Sequence, residues 1–120
     1  MRYIELRKPI KTEFTGDIVS TIMVAKYADD GALAMVAMTD EGERVANITV
    51  NLNESMFLDD NCFFLDASQT ANEIKDFWLK EGIIKKINGV RAASGFNMYD
   101  AYEIVDPSFK DEIRKANDND

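Results

Sequence analysis

Three strand-like segments within residues 18–52 constrain most strongly what this chain can fold into. Residues 18–25 are rich in β-branched side chains, whose crowded Cβ atoms favour extended backbone over helix. Asp-Asp-Gly at 29–31 and Asp-Glu-Gly-Glu at 40–43 interrupt the apolar pattern with residues that are typical of tight turns. The pattern predicts an antiparallel meander whose first turn is of type I′, because an Asp-Gly pair tolerates positive φ.

The second and third segments of the meander differ in their alternation. The second strand is predicted over residues 33–39. Residues 32–38 are apolar on both faces, which predicts a central strand with cover on each side or with one face in an interface. Residues 44–52 alternate: Ala46, Ile48 and Val50 share one face, and polar residues occupy the other. A short ribbon alone is marginally stable in water, so other segments must cover it.

Most of this cover is predicted to come from a helix over residues 71–81. Thr70 and Glu73 have the spacing of a capping box, in which each side chain accepts from the other residue's backbone N–H. Ile74 and Trp78 lie four residues apart and therefore share one apolar helix face. We interpret Trp78 as a core anchor and not as a ligand platform.

Two further short strands are predicted, one before the meander and one between the meander and this helix. Residues 3–6 and 62–65 are predicted to be apolar strands, because both runs are apolar and contain few charges. Residues 53–61 are predicted to form a loop between the meander and the strand over residues 62–65. We expect residues 56–58 (Met-Phe-Leu) of this loop to return to the core.

After the helix, the pattern predicts a further pair of strands and a terminal helix. Asn-Gly at 88–89 is a turn signal, and Gly95 lies between strand-like residues, which indicates a bulge. Residues 99–105 form the last strand. Residues 109–115 form a short helix with an apolar face, after a stop at Asp-Pro-Ser.

Together these segments predict an α+β fold with a single antiparallel sheet of five or six strands, a helix over 71–81 on one face and a short helix over 109–115. A length of 120 residues and a hydrophobic content of 46% fit one compact domain over residues 1–116, followed by a frayed acidic tail at 117–120. The chain has no long apolar run, no secretory signal and only one cysteine, Cys62. We therefore expect a cytoplasmic protein that does not bind membranes.

The chain contains no histidine. Histidine is the usual general base near neutral pH and the commonest metal ligand, so triads that depend on it are excluded within this chain. Cys62 begins the apolar run Cys-Phe-Phe-Leu at 62–65 and is expected to be a small buried hydrophobe. With no glycine-rich phosphate loop either, we predict a protein that is not an enzyme and that has no catalytic residues and no cofactor.

The net charge of −8 is unevenly distributed, with +3 over residues 1–11, −10 over 12–74 and −1 over 75–120. An acidic segment of this kind attracts basic partners, or it serves only to solubilise the surface. The candidate interaction surface comprises the acidic residues of three loops: Asp29, Asp30, Asp40, Glu41, Glu43, Asp59 and Asp60. These loops lack calcium-loop spacing, and consecutive hairpin turns lie at opposite ends of a sheet, so no metal site is predicted.

Five short motifs follow one another in a characteristic order within residues 18–102. They are Lys-Tyr-Ala at 26–28, Asp-Glu-Gly-Glu at 40–43, Ala-Asn-Ile-Thr-Val-Asn-Leu at 46–52, Leu-Lys-Glu-Gly at 79–82 and Ser-Gly-Phe at 94–96, before two tyrosines. In this order the chain resembles a family of small uncharacterised bacterial proteins found on conjugative elements and phages of Gram-positive gut bacteria. That family has no established activity, so the resemblance implies a mobile-element context and no catalytic residues.

The favoured function is a non-enzymatic protein-binding module that uses the acidic surface, in a mobile-element context against host factors. The alternative is a nucleic-acid-binding accessory protein, with Tyr99 and Tyr102 stacking on bases. Its basic patch comprises Lys80, Lys85, Lys86 and Arg91. Those residues are equally explained as a solvated rim near a helix C-terminus. A homodimer is a further alternative, by edge-to-edge or face-to-face pairing that hides the apolar face of residues 33–38.

Overall fold

The computed structural model describes residues 1–118 as two antiparallel sheets and two α-helices. The first four strands are β1 (Arg2–Lys11), β2 (Ile18–Lys26), β3 (Leu33–Met38) and β4 (Arg44–Asn47). The next four are β5 (Thr49–Val50), β6 (Cys62–Leu65), β7 (Ile84–Ser94) and β8 (Asn97–Ile104). The helices are α1 (Gln69–Lys80) and α2 (Pro107–Asp118), and a 3₁₀ helix spans Asn53–Phe57.

The predicted α+β class with antiparallel strands is confirmed, but the strands form two sheets and not one. Sheet A has the order β1-β2-β3-β4, and sheet B has the order β5-β6-β8-β7. Strands β2 and β3 cover the first two segments of the predicted meander. The order of sheet A therefore follows the chain, as a meander requires.

The predicted third strand, residues 44–52, is divided at Ile48, where the chain passes from sheet A to sheet B. Ile48 is fully buried, and its backbone bonds to both sides: its N–H donates to the Met35 carbonyl at 3.0 Å, and its carbonyl accepts from the Asp66 N–H at 2.8 Å. Thr49, predicted on the wet face, is buried because the strand changes sheet beside it. Its hydroxyl accepts from the Met35 N–H at 3.1 Å.

Helix α1 begins two residues earlier than predicted, and its cap is a different residue. Ser68 has extended backbone, and its hydroxyl accepts from the Ala71 N–H at 3.1 Å. The capping box predicted from Thr70 and Glu73 is therefore wrong. The predicted C-terminal end is close to the observed one: Gly82, with φ of 72°, follows the helix in the left-handed conformation that glycine adopts without strain.

The Glu73 carboxylate instead holds the loop between β1 and β2. It accepts from the backbone N–H of Glu13 at 2.8 Å and from that of Phe14 at 3.3 Å. These amides lie outside any strand, so a carboxylate supplied by α1 satisfies groups that would otherwise need water. The contact joins residues 60 apart in the chain, so the local spacing of Thr70 and Glu73 could not reveal it.

Trp78 lies in the core that both sheets share, as predicted. Only 2% of its surface is exposed, and its ring meets that of Phe109 edge-on, with centroids 5.4 Å apart and planes at 79°. An edge-to-face pair of this kind is favourable beyond the area that it buries. The same cluster contains Ile22 of sheet A and Phe63 of sheet B, so α1 and α2 cover both sheets at once.

The roles of Gly89 and Gly95 are the reverse of those predicted. Gly95 lies in the two-residue turn that joins β7 to β8, with φ of 61°. Gly89, with φ of 80°, lies in a bulge where residues 87–90 of β7 oppose Ala101 of β8.

A type I′ turn needs two consecutive residues with positive φ, and no residue other than glycine has a positive φ within 1–118. The predicted type I′ turn at residues 29–31 is wrong for the same reason.

Helix α2 is longer than the predicted 109–115. The Asp106 carboxylate accepts from the Phe109 N–H at 2.9 Å at its first turn. Residues 117–118 of the expected frayed tail continue this helix, and residues 119–120 of that tail lie outside the described residues. Within 1–118, neither helix has the length and apolar character that a membrane crossing requires.

Replacing Trp78 tests the shared core. We expect Trp78→Ala to lower the free energy of unfolding by about 3–5 kcal/mol, because it leaves a cavity between the two sheets and both helices. The matched control is Leu79→Ala, since Leu79 is the next residue and is 39% exposed. The control should cost about 1 kcal/mol or less in urea denaturation. Equal losses would contradict the assignment of Trp78 to the core.

Replacing Glu73 tests its tertiary role against a capping role. Glu73→Ala should cost about 1 kcal/mol and should accelerate hydrogen exchange at the amides of Glu13 and Phe14, which lose their acceptor. The control is Asp76→Ala, an exposed carboxylate on the same helix. A capping box would instead require faster exchange at the Thr70 amide with the β1–β2 loop unchanged.

Candidate functional site

The turn between β2 and β3 presents two of the predicted acidic residues. The Tyr27 N–H donates to the Ala32 carbonyl at 2.8 Å, and the Asp30 carboxylate accepts from the Ala32 N–H at 2.9 Å. The Tyr27 hydroxyl lies 2.9 Å from the Thr49 hydroxyl and so fixes the base of the turn to the crossover segment. This arrangement leaves Asp29 exposed and Asp30 half-buried.

The segment between β5 and β6 lies beside that turn. Ser55 is buried, and its hydroxyl accepts from the Leu52 N–H at 2.9 Å, which fixes the 3₁₀ helix. The prediction that residues 56–58 return to the core is wrong for its first two residues. Met56 is 60% exposed and Phe57 is 81% exposed, because the buried hydroxyl of Ser55 orients the helix with these side chains outward.

Two of the three predicted acidic loops meet at one end of the molecule. Asp30, Asp59 and Asp60 line a pocket of about 120 Å³, together with Met56 and other residues of this segment. We call the surface formed by Asp29, Asp30, Met56, Phe57, Asp59 and Asp60 the acidic end. It combines the exposed apolar side chains of Met56 and Phe57 with carboxylates, and protein-binding surfaces commonly combine apolar and polar groups.

The third acidic loop does not line this pocket. Asp40, Glu41 and Glu43 belong to the turn between β3 and β4, where the Thr39 N–H donates to the Glu43 carbonyl at 2.9 Å. Consecutive turns of an antiparallel meander lie at opposite ends of the sheet, as the sequence implied. Within residues 1–118, no three acidic or cysteine side chains converge closely enough to hold a metal ion.

The seven predicted acidic residues carry charge that the described chain does not neutralise. None of them forms an ion pair with a described residue. Six of them are exposed, and Asp30 is half-buried. Charges in this state remain available to a partner that approaches from solvent.

The predicted basic patch is different, because three of its four residues are paired within the chain. Lys86 and Arg91 both contact the Asp100 carboxylate, at 3.6 and 2.9 Å, and Lys85 lies 3.5 Å from the Glu103 carboxylate. These carboxylates belong to β8, which pairs with β7. The remaining patch residue, Lys80, is exposed at the end of α1.

The tyrosines predicted to stack on bases do not form a platform. Tyr102 is only 5% exposed, and its ring stacks on Phe63 inside the core, with centroids 6.1 Å apart. Burial raises the pKa of its hydroxyl. Tyr99 alternates to the opposite face of β8. It is half-buried against a second hydrophobic cluster, which contains Leu52, Phe64, Ala92 and Ala101. The residues of the predicted nucleic-acid site are therefore not brought together.

A groove between β1, α1 and α2 was not predicted. It has a volume of about 570 Å³ and is lined by Trp78 and Phe109. Its lining also includes two ion pairs, Arg7 with Asp106 and Lys8 with Glu81. The groove depends on residues 6–9, which bulge from β1 without pairing to β2. The predicted strand over residues 3–6 was expected to end at Pro9, which lacks an N–H to donate. Strand β1 instead continues to Lys11, with Pro9 in the bulge.

Cys62 is buried, as predicted, and its environment disfavours the thiolate. Burial, together with the nearby carboxylates of Glu103 and Asp59, raises the pKa of the Cys62 thiol from 9.0 to about 11. The thiolate is the nucleophilic form of cysteine. This side chain is therefore poorly suited to covalent catalysis near neutral pH.

The raised pKa of Cys62 predicts a pH dependence of stability. Because the folded pKa lies above the unfolded one, the stability contribution is complete below pH 9.0 and is lost as pH rises towards about 11. The free energy of unfolding should therefore fall more steeply between pH 9 and 11 in the natural protein than in Cys62→Ala. Chemical denaturation at several pH values measures both slopes, and equal slopes would contradict the prediction.

Comparison with known families gives one match. Residues 21–116 match the family model of a domain of unknown function, DUF4313. Comparisons with curated proteins and with solved structures give no significant match. The matched range runs from β2 into α2 and so contains the acidic end, the crossover at Ile48 and the β7–β8 hairpin. Since this range is most of the chain, the protein belongs to the DUF4313 family, whose function is unknown.

Proposed function

We propose that this protein is a non-enzymatic binding module that uses the acidic end to hold a basic segment of another protein. The observation that carries the proposal is the combination of unpaired carboxylates with exposed apolar side chains on one surface. Asp29, Asp59 and Asp60 have no ion-pair partner in the described chain, and Met56 and Phe57 are largely exposed beside them. An aliphatic or aromatic contact supplies affinity, and the acidic rim favours a positively charged partner.

The charge distribution supports a protein partner more than a nucleic acid. A net charge of −8 repels phosphate backbones at long range, and three of the four predicted phosphate-binding residues already contact Asp100 or Glu103. Lys85 and Lys86 also have another role, since they lie on β7, an edge strand of sheet B. Lysines on an edge strand oppose pairing with further strands.

The context suggested by the motif order extends this proposal. Proteins on conjugative elements and phages act inside a host, so the basic partner is a host factor in this proposal. A binding role fits a chain without histidine whose single cysteine is buried. The partner's contact segment would carry lysine or arginine next to an apolar residue, because both features of the acidic end then have a counterpart.

Two variants with the same charge change test the proposal. The first replaces Asp29, Asp59 and Asp60 with asparagine and leaves Asp30, which holds its turn, unchanged. The matched control replaces Asp40, Glu41 and Glu43 with their amides at the opposite end of sheet A. Each variant loses three negative charges, so any difference between them reports position and not net charge.

Binding is measured by fluorescence anisotropy with two synthetic peptides, one of alternating arginine and leucine and one of alternating arginine and serine. The natural protein should prefer the leucine peptide and should release it as salt rises, because screening weakens the ion pairs. The acidic-end variant should bind about tenfold more weakly or worse, and the control variant should bind within about twofold of the natural protein. Equal weakening in both variants, or no binding at low salt, would overturn the proposal.

A further inference from the structure

The two apolar faces of strand β3 have different surroundings. Its inner side chains belong to the core cluster shared with the helices and sheet B, and they are Leu33, Met35 and Ala37. Ala34, Val36 and Met38 alternate onto the other face of sheet A. None of these three belongs to either hydrophobic cluster of the described chain. The sequence predicted either cover on both sides or an interface. Only the inner face packs into a core cluster; on the outer face Ala34 and Met38 are half-buried and Val36 is 6% exposed.

On strands β2 and β1 this outer face continues as an apolar row, which ends on β4 at the exposed Asn47, the partner of Val36. Val36 pairs with Met23 of β2, and Met23 pairs with Tyr3 of β1. Tyr3 is 55% exposed although it is large and apolar, and Met23 is half-buried. Ala25 and Ala34 pair in the row beside it and are small enough to leave the surface flat. A contiguous apolar face on a chain of net charge −8 is typical of an interface.

Charged residues border this face at its two edges and at the same height. Glu5 of β1 pairs with Thr21, Thr21 pairs with Met38, and Met38 pairs with Arg44 of β4, so all four lie in one cross-strand row. Three strand spacings separate Glu5 from Arg44, which is about 14 Å. Both residues are exposed, and neither forms an ion pair with a described residue.

From this arrangement we propose that two copies of the chain associate through the outer face of sheet A, about a twofold axis parallel to the strands. This axis places β1 of one protomer over β4 of the other without shifting the rows along the strand direction. Glu5 of each protomer then faces the partner's Arg44, so one ion pair forms at each edge. Met23 of one protomer meets the partner's Val36 in the centre, as in aligned packing of two sheets.

A second twofold arrangement is disfavoured by charge. An axis perpendicular to the strands would place β1 over β1 and β4 over β4, so Glu5 and Arg44 would not meet across the interface. The positions of Glu5 and Arg44 therefore favour the axis parallel to the strands, and their opposite charges favour a second copy of the chain as the partner. The face itself is neutral, with one carboxylate and one guanidinium, so self-association does not bring like charges into contact.

Edge-to-edge association is opposed at β1 and β7, one edge of each sheet. Strand β1 carries Pro9 and an unpaired bulge at residues 6–9, which interrupts the row of amides that a further strand would need. Strand β7 has a bulge at residues 87–90 and carries Lys85 and Lys86. Bulges, proline and lysine are the devices that keep sheet edges from pairing. The outer face has none of them.

The size of the face predicts a weak dimer. Four strands and three rows present roughly 20 × 20 Å, which is about half of the area that each partner buries in a standard interface. We therefore expect a dissociation constant of roughly tens to hundreds of micromolar for the dimer. Sedimentation velocity at about 150 mM salt, from roughly 10 to 500 µM protein, covers this range.

A charge exchange between Glu5 and Arg44 tests the proposed geometry. Glu5→Arg and Arg44→Glu each place two pairs of like charges at the interface, and each should weaken dimerisation about tenfold or more. The double variant Glu5→Arg with Arg44→Glu restores opposite charges at both edges and should dimerise within about threefold of the natural protein. Glu54→Arg, an exposed control with the same charge change as Glu5→Arg, should leave dimerisation unchanged.

Each outcome decides the proposal. A natural protein that remains a monomer at the highest concentration overturns it. If both single variants dimerise as strongly as the natural protein, another surface is used. If the double variant does not recover dimerisation, Glu5 and Arg44 do not face one another. Circular dichroism of the variants verifies that these exposed substitutions leave the fold intact. Glu5 and Arg44 lie outside the acidic end, so the result of the charge exchange is independent of the proposed function.

Discussion

The burial of Ile48 between two sheets is the constraint on which the rest of the structure depends. The Ile48 N–H donates to Met35 of sheet A, and the Ile48 carbonyl accepts from Asp66, which follows β6, so both backbone groups of Ile48 are paired at the crossover. The same crossover buries Thr49, whose hydroxyl contacts Tyr27 and accepts from Met35. The β2–β3 turn is thereby held beside the 3₁₀ helix, and the acidic end is a consequence of the crossover.

The strand pairing determines which charged side chains find a partner within the chain. On the β7–β8 hairpin, oppositely charged residues lie on paired strands, and Arg91 contacts Asp100 across nine residues of chain. The acidic loops of sheet A have no such cross-strand neighbour, because they lie beyond the ends of the strands. Surface pairs add little to stability, so the hairpin pairs mainly neutralise charge, whereas the loop carboxylates remain free for contact.

Local patterns determined what could be predicted from sequence. The β-branched run of β2, the apolar run of β3 and the apolar face around Trp78 depend on neighbours within a few residues, and all three predictions are confirmed. Long-range contacts were not predictable in this way. Alternation across residues 44–52 is the same whether the strand stays in one sheet or changes sheet, and Glu73 has cap spacing although it bonds to the loop at Glu13. For the site, exposure of the acidic loops followed from their turn residues, but the meeting of Asp30 with Asp59 and Asp60 required the fold.

Native-state hydrogen exchange at the crossover tests the central claim most directly. If both sheets share one core through Ile48, the amides of Ile48 and Asp66 should exchange with the same free energy as the slowest amides of β2 and of β8, because they open only when the whole chain unfolds. An opening that exposes the amides of β8 and of Asp66 while β2 and β3 stay protected would show two separate folding units. That result would contradict the account.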